Sequence, residues 1–134
     1  MSSGPGQLLF EFVRHWARRT TDQGRLVLVT EAVHTRTRRG QTATVNDVAH
    51  ELGIHQSGAS RFTRNAADAG YLEIRTSTSD ARRRELVVTE TGLAMLDQAH
   101  AWQERVFAQL TEDWTTRQRD DFQKAMAQLV ERSA

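Results

Sequence analysis

Apolar residues recur with the spacing of an α-helix near the start of the chain. Pro5 suits the first turn of a helix. The apolar positions that follow it are Leu8, Leu9, Phe12, Val13, Trp16 and Ala17. The segment of residues 24–40 contains "RLVLV", which alternates like a strand, but Ala32 and Val33 continue a helical pattern. We therefore predict two helices in this part of the chain.

The last third of the chain shows the same period. A long helix is predicted after Gly92, with apolar positions at Leu93, Leu96, Ala99, Val106 and Leu110. Thr115 and Gln118 have the spacing of a capping box, which marks the start of another helix. Its apolar positions are Phe122, Met126, Leu129 and Val130.

Two short helices and a hairpin are predicted between these regions. In "TVNDVAHELG", Thr44 and Asp47 have capping-box spacing, and Gly53 suits the turn that follows. A second helix is predicted over residues 56–69, ended by Gly70, so a tight turn joins the two in a helix-turn-helix. "YLEIRTS" and "RELVVT" alternate like two strands around a polar tip at residues 78–83. The predicted fold is mainly α (α+β), a winged helix-turn-helix with a two-stranded wing inside a helical frame.

Charge is distributed unevenly along the 134 residues, although the formal net charge is only +1. Residues 1–54 carry seven Lys/Arg against five Asp/Glu (+2), residues 55–84 six against three (+3), and residues 85–134 five against nine (−4). A basic middle and an acidic end favour a polyanionic partner for one region only. The absence of cysteine excludes disulfides and thiolate metal sites. No apolar run spans a bilayer and "MSSGPGQ" lacks the features of a secretory signal, so we expect a cytoplasmic protein without a membrane partner.

The second helix of the helix-turn-helix has two different faces. At about 100° per residue, one half carries Gln56, Ser57, Ser60, Arg61, Arg64 and Asp68, and the opposite side carries Ala59, Phe62, Ala66 and Ala69. Small hydroxyl side chains allow close approach to DNA, and arginines bind guanine edges or phosphates. An ordinary amphipathic surface helix is the alternative. The basic hairpin that follows favours DNA contact.

The hairpin contains three consecutive arginines, Arg82, Arg83 and Arg84, which repel one another unless an external anion binds them. A solvated hairpin tip is the alternative for such a charge run.

The stretch "TVNDVAHELGIHQSGASRFTRNAADAGYLEIRTSTSDARRRELVVTETG" resembles the MarR family of bacterial transcriptional regulators. The most specific match is Asp80-Ala81-Arg82 followed by Thr89 and Gly92. The resemblance implies that Arg82 enters the DNA minor groove, that Asp80 orients it, and that Arg83 and Arg84 serve phosphate or the wing's own strand. Alanine at positions 59 and 66 departs from the larger apolar residues usual in the family, so this helix is expected to pack closer or to rely on Phe62.

The resemblance also implies an architecture and a function. We expect a single domain over residues 1–134, with a winged helix-turn-helix at 43–91 and helical dimerisation regions at 5–37 and 92–134. The expected function is that of a homodimeric repressor that binds a pseudo-palindromic operator in double-stranded DNA. The predicted DNA-binding residues are Thr44, His55, Gln56, Ser57, Ser60, Arg61, Arg64, Asp80, Arg82 and Arg83.

An effector cavity is a further implication of the resemblance, and its predicted ligand is a small aromatic or lipophilic molecule. The predicted lining residues are His15, Trp16, His34 and Trp102. Ordinary core packing is the alternative for each aromatic residue taken alone.

Other candidate chemistry is weak. "HELGIH" places its two histidines one residue further apart than a zinc-protease motif does, and Gly53 interrupts the helix. His15, His34 and His100 lie on three predicted helices and could meet as a metal sensor, but isolated histidines are usually structural or exposed. We therefore predict no catalytic residues, no metal site, no cofactor and no enzymatic activity. The competing hypothesis is a winged-helix module that binds another protein.

Overall fold

A computed structural model of the chain describes residues 2–17 and 21–134. Within these ranges the elements are, in order, α1 (Pro5–Ala17), α2 (Asp22–Arg38), α3 (Val45–Leu52), α4 (Gln56–Asp68), β1 (Leu72–Thr76), β2 (Arg84–Val88), α5 (Glu90–Leu110) and α6 (Thr116–Ser133). The mainly helical fold, the helix-turn-helix and the two-stranded wing are confirmed. The chain divides into two compact units, of which the first ends at Asp97 and the second is Gln98–Ala134.

Both predicted capping boxes are present. The Thr44 hydroxyl accepts the Asp47 N–H at 3.3 Å, and the Asp47 carboxylate accepts the Thr44 N–H at 2.9 Å. Thr115 and Gln118 make the same reciprocal pair at the start of α6, at 3.1 and 2.8 Å. Gly53 ends α3 with φ of +65°, a left-handed conformation that glycine adopts without strain. These local contacts set the ends of the helices.

The core of the first unit lies under the helix-turn-helix. Its fully or nearly fully buried members are Val29, Val33, Ala43, Val48, Ala49, Ala59, Ala66, Leu72 and Leu86. Leu52 and Phe62 are partly buried and pack against them. Ala59 and Ala66 are both 0% exposed, so α4 approaches its neighbours through small side chains. Phe62 packs against the core from the same helix, in line with the expected contribution of this side chain.

One residue of the predicted inner face is placed differently. Ala69 was expected beside Ala59 and Ala66, but it is exposed. The helix ends at Asp68 and Ala69 is its C-cap, so its exposure follows from its position at the end of the helix.

The wing is an antiparallel pair in which Leu72 faces Val88 and Ile74 faces Leu86. Leu72 and Leu86 are each 3% exposed, whereas Ile74, nearer the tip, is 39% exposed. The N–H of Leu86 donates to the Ala43 carbonyl at 2.8 Å, which attaches the wing to the segment before α3.

A close contact joins the wing to α5. The Thr89 hydroxyl donates to the Gly70 carbonyl and accepts the Gly92 N–H at 3.0 Å. A Cβ atom at Gly92 would lie 2.3 Å from the Tyr71 carbonyl oxygen, so no larger residue fits. Because Thr89 satisfies an N–H of the first turn, α5 begins at Glu90, two residues before Gly92, rather than after that glycine as predicted.

The second unit contains an aromatic cluster. The Phe107 and Phe122 rings stack with centroids 5.4 Å apart, and the Trp114 ring meets both edge-on. Arg119 donates to the hydroxyl and the carbonyl of Thr111, just after the end of α5. The connection between the last two helices is therefore held by side chains of both flanking segments.

Candidate nucleic-acid interface

The outer face of α4 is accessible along its whole length. Five of the residues predicted to contact DNA are exposed there, namely His55, Gln56, Ser57, Arg61 and Arg64, and Ser60 is half-buried. Ala59, Thr63 and Ala66 are buried on the opposite side. The structure thus brings the predicted residues of this helix onto one surface.

Two of the α4 side chains have additional contacts. The Arg61 guanidinium lies over the Phe62 ring at 5.1 Å, and Arg25 of α2 lies over the same ring at 5.9 Å. Both distances are within the range of cation–π attraction.

Thr63 is 1% exposed and its hydroxyl has no hydrogen-bond partner among the described residues. Sequence periodicity gave no signal for this buried hydroxyl.

The tip of the wing is held by its own hydrogen bonds. The Asp80 carboxylate accepts the backbone N–H of Arg82 at 3.0 Å, and the Asp80 carbonyl accepts the N–H of Arg83 at 3.0 Å. Ser77 is buried, its N–H donates to the Arg83 carbonyl at 2.8 Å, and its hydroxyl meets that of Ser79 at 3.0 Å. Asp80 therefore orients the backbone of Arg82, while the Arg82 side chain is exposed.

A polar network attaches the wing to the start of the helix-turn-helix. The Arg83 guanidinium donates to the Thr42 hydroxyl at 3.2 Å, across 41 residues of sequence. Arg36, in the last turn of α2, donates to the Thr42 carbonyl at 2.9 Å and lies 3.5 Å from the Asp47 carboxylate. Arg36 and Thr42 were missed by sequence reasoning. The basic run "TRTRR" was a signal for Arg36, but nothing in the sequence indicated its partners.

Thr44 stands apart from the other predicted DNA-binding residues. It is half-buried, and its hydroxyl accepts the Asp47 N–H and lies 3.0 Å from the Asp47 carboxylate. The Thr44 hydroxyl, which was predicted to contact DNA, is therefore already hydrogen-bonded within the capping box.

The four residues predicted for an effector cavity lie on three helices. His15 and Trp16 are neighbours on α1, with ring centroids 5.6 Å apart in an edge-on arrangement. His34 is half-buried on α2, and Trp102 is 51% exposed in the second unit. In the two described ranges, no three His, Asp or Glu side chains are grouped so that they could hold a metal ion. No helix in the described part of the chain has the length and hydropathy to cross a bilayer.

Known structures resemble the chain over almost its whole length. Apo wild-type MarR from E. coli superimposes with a TM-score of 0.76 at 14% identity, covering 96% of this chain and 98% of that one. A mutant of MepR from S. aureus, bound to an oligodeoxyribonucleotide, gives 0.62 at 14% identity, with coverage of 98% and 100%. The heme sensor PefR from Streptococcus agalactiae, in complex with heme, gives 0.58 at 19% identity, with coverage of 98% and 95%. The sequence matches no protein-family model and no curated protein.

The helix-turn-helix and the two-stranded wing define a winged helix-turn-helix fold. More specifically, the chain has the MarR-type winged-helix fold, with the helix order found in E. coli MarR and S. aureus MepR.

Proposed function

We propose that the protein is a homodimeric repressor that binds a pseudo-palindromic operator in double-stranded DNA in the cytoplasm. The observation that carries the proposal is the outer face of α4, which exposes Ser57, Arg61 and Arg64. That face lies opposite the buried alanines and in the same compact unit as a basic wing. The proposed role involves no catalytic step.

The dimensions and chemistry of α4 suit the major groove of DNA. Its 13 residues span about 20 Å at 1.5 Å per residue, and the groove, about 12 Å wide, admits one helix. His55, Gln56 and Ser57 stand at its start, where recognition helices contact base edges. Arg61 and Arg64 follow on the same face and supply cations for guanine edges or phosphates.

The wing suits the adjacent minor groove. Arg82 is exposed at the tip, and no described residue forms an ion pair or side-chain hydrogen bond with its guanidinium. A narrow minor groove has an enhanced negative potential that attracts an inserted arginine. Asp80 fixes the backbone that carries Arg82, so the side chain is presented from a defined turn.

A homodimer is proposed because both terminal helices expose apolar side chains. No described residue of α1 or α6 is buried in the single chain. Leu8 and Phe12, four positions apart on one face of α1, are each 55% exposed, and Leu129 and Val130 of α6 are 44% and 64% exposed. Contiguous apolar surface of this kind usually marks an interface. A two-fold axis would place two recognition helices about 34–36 Å apart, one for each half-site.

The proposal includes a small aromatic or lipophilic effector that releases the protein from DNA. The edge-on pair His15 and Trp16 on α1 offers aromatic surface for such a ligand. PefR, which shares the fold, was crystallised with heme. A candidate ligand is an effector if it quenches tryptophan fluorescence in a saturable manner and also reduces DNA binding. The Trp16→Leu variant should lose both responses.

The deciding experiment is selection of bound duplexes from a random or genomic pool by the full-length protein, followed by a salt titration. We expect an inverted repeat, and an affinity that falls steeply as salt rises. The Arg61→Ala/Arg82→Ala variant should lose binding, whereas Arg105→Ala/Arg132→Ala, with the same charge change in the second unit, should keep it. Failure to enrich any duplex, with little affinity at low salt, favours the competing hypothesis of a protein-interaction module.

A further inference from the structure

Two arginine-rich segments that are distant in sequence are joined by hydrogen bonds in the first unit. Arg36 and Arg38 lie in the last turn of α2, Arg39 is its C-cap, and Arg82–Arg84 form the wing tip and the start of β2. Three contacts bring the two groups together: Arg83 with Thr42, Leu86 with Ala43, and Arg36 with the Thr42 carbonyl. The segment that follows α2 therefore runs beside the wing.

Two of these arginines have no assigned role. Arg36 is engaged by Thr42 and Asp47, and Arg83 by Thr42. Arg38 and Arg39 are exposed, and within the described ranges neither side chain makes a hydrogen bond or an ion pair. A helix dipole favours a cation in the last turn, which accounts for Arg38 alone, since Arg39 lies beyond the last helical residue. Their mutual repulsion remains uncompensated inside the chain.

Arg39 is close in sequence to the point where the chain contacts the wing. Thr42 follows Arg39 by three positions, a span of at most about 11 Å for an extended chain. The Thr42 hydroxyl is 3.2 Å from the Arg83 guanidinium. One DNA strand carries a phosphate about every 3.4 Å along the axis, so more than one phosphate lies within reach of that span. The minor groove is only about 6 Å wide, so groups beside an inserted wing face the sugar–phosphate backbone rather than base edges.

We propose that Arg38 and Arg39 form a second DNA contact, a phosphate-binding edge beside the wing that grips the backbone flanking the minor groove. This edge adds affinity without sequence preference, because phosphates carry no base identity. The inference rests on the proposed function, since it requires that the wing meets duplex DNA. The alternative is that Arg38 and Arg39 bind an acidic protein instead of DNA.

The test compares the full-length protein with three variants, using the selected operator duplex and a scrambled duplex of equal length. Arg38→Ala/Arg39→Ala removes both charges, and Arg38→Lys/Arg39→Lys keeps them. Arg105→Ala/Arg132→Ala is the matched control, because it removes two exposed arginines from the second unit. The measured quantity is the slope of log affinity against log salt, from fluorescence anisotropy of labelled DNA. Thermal melting verifies folding, and Arg38→Gln/Arg39→Gln replaces the alanine variant if that variant unfolds.

In the alanine variant, the slope of log affinity against log salt should become shallower by about 0.9 for each lost phosphate contact. Two lost contacts reduce it by about 1.8 per protomer, and by about 3.6 for a bound dimer. Its affinity at about 0.1 M salt should fall at least tens of fold on both duplexes. The lysine variant and the matched control should keep the wild-type slope. Base preference in a repeated selection should not change.

The outcomes separate this inference from the proposed function. If wild type binds duplex with a steep slope and the alanine variant matches it, the phosphate-binding edge is wrong and the proposed function stands. A changed base preference also overturns the inference, because the arginines would then read bases. If wild type binds no duplex at any salt but binds poly-glutamate through these arginines, both proposals fail in favour of an acidic protein partner.

Discussion

Arg82 is the wing residue on which DNA affinity should depend most. Its guanidinium is exposed without a partner among the described residues, whereas Arg83 is bound to Thr42 and Arg75 to Glu73. We expect Arg82→Ala to cost about 1–3 kcal/mol of operator binding, the usual scale for an arginine that reads a groove. Fluorescence anisotropy at near-physiological salt measures this loss.

Two neighbouring substitutions serve as controls for Arg82. Asp80→Ala should weaken binding less than Arg82→Ala, because it loosens the turn that carries Arg82 and leaves the guanidinium in place. Arg75→Ala removes the same charge from the same wing, but Arg75 already pairs with Glu73, so its loss should be smaller. Wild-type affinity in Arg82→Ala would show that the wing does not insert this side chain.

Gly92 is a second residue whose substitution has a definite expected outcome. A Cβ atom there would lie 2.3 Å from the Tyr71 carbonyl oxygen and 2.8 Å from Val88 Cγ1. The backbone at Tyr71 cannot yield easily, so Gly92→Ala should destabilise the protein by about 1–3 kcal/mol, the scale of overpacking. Urea unfolding followed by circular dichroism should show a lower midpoint.

Gly58→Ala is the matched control for Gly92→Ala. Gly58 also lies in the first turn of a helix, and a Cβ atom there meets nothing closer than Ile54 Cδ1 at 4.0 Å. Alanine has the higher helix propensity, by up to about 1 kcal/mol, so this variant should be more stable than wild type. Equal effects of the two substitutions would contradict the packing described at Tyr71.

At the scale of single elements, the two arginines of α4 should have different roles, with Arg61 reading bases and Arg64 binding phosphate. Arg61 lies nearer the start of the helix than Arg64, where recognition helices contact base edges. Arg61→Ala should therefore alter which base pairs a repeated selection enriches. Arg64→Ala should lower affinity on all duplexes and reduce the salt slope by about 1 per lost contact. Identical base preference in wild type and Arg61→Ala would contradict the proposed docking.

At the scale of the whole molecule, the exposed apolar face of α6 should decide the oligomeric state. Leu129 and Val130 are 44% and 64% exposed in the single chain, so burial in a partner is the proposed reason for their hydrophobicity. Leu129→Glu/Val130→Glu should give a monomer in sedimentation at micromolar concentration and reduce operator affinity strongly. Deletion of residues 115–134 should have the same effect.

The control adds the same charge to the same helix at polar positions. Gln123→Glu/Gln128→Glu changes two exposed glutamines, so the variant should remain a dimer. Circular dichroism should show a folded helix-turn-helix unit in both glutamate variants, because its core contains no residue of α6. A monomeric wild-type protein would refute the proposed interface.

The sequence alone determined the features that depend on neighbouring residues. The capping boxes of α3 and α6 each join residues three positions apart, and Gly53 acts through its own backbone conformation. The exposed arginine face of α4 follows from helical periodicity once its buried alanines are placed. Such features are predictable because their physical causes, hydrogen bonds within one turn and burial of one face, lie within a short stretch of chain.

Only the tertiary structure decided the contacts between distant segments. Gly92 needs its small size because the Tyr71 carbonyl lies against it, and Arg83 binds Thr42, 41 residues away, instead of standing free beside Arg82. The same contacts bring Thr42 and Ala43, in the segment that follows α2, against the wing, which the charge pattern alone did not indicate. Periodicity specifies which way a side chain faces on its own element, but the partner it meets depends on how the elements pack.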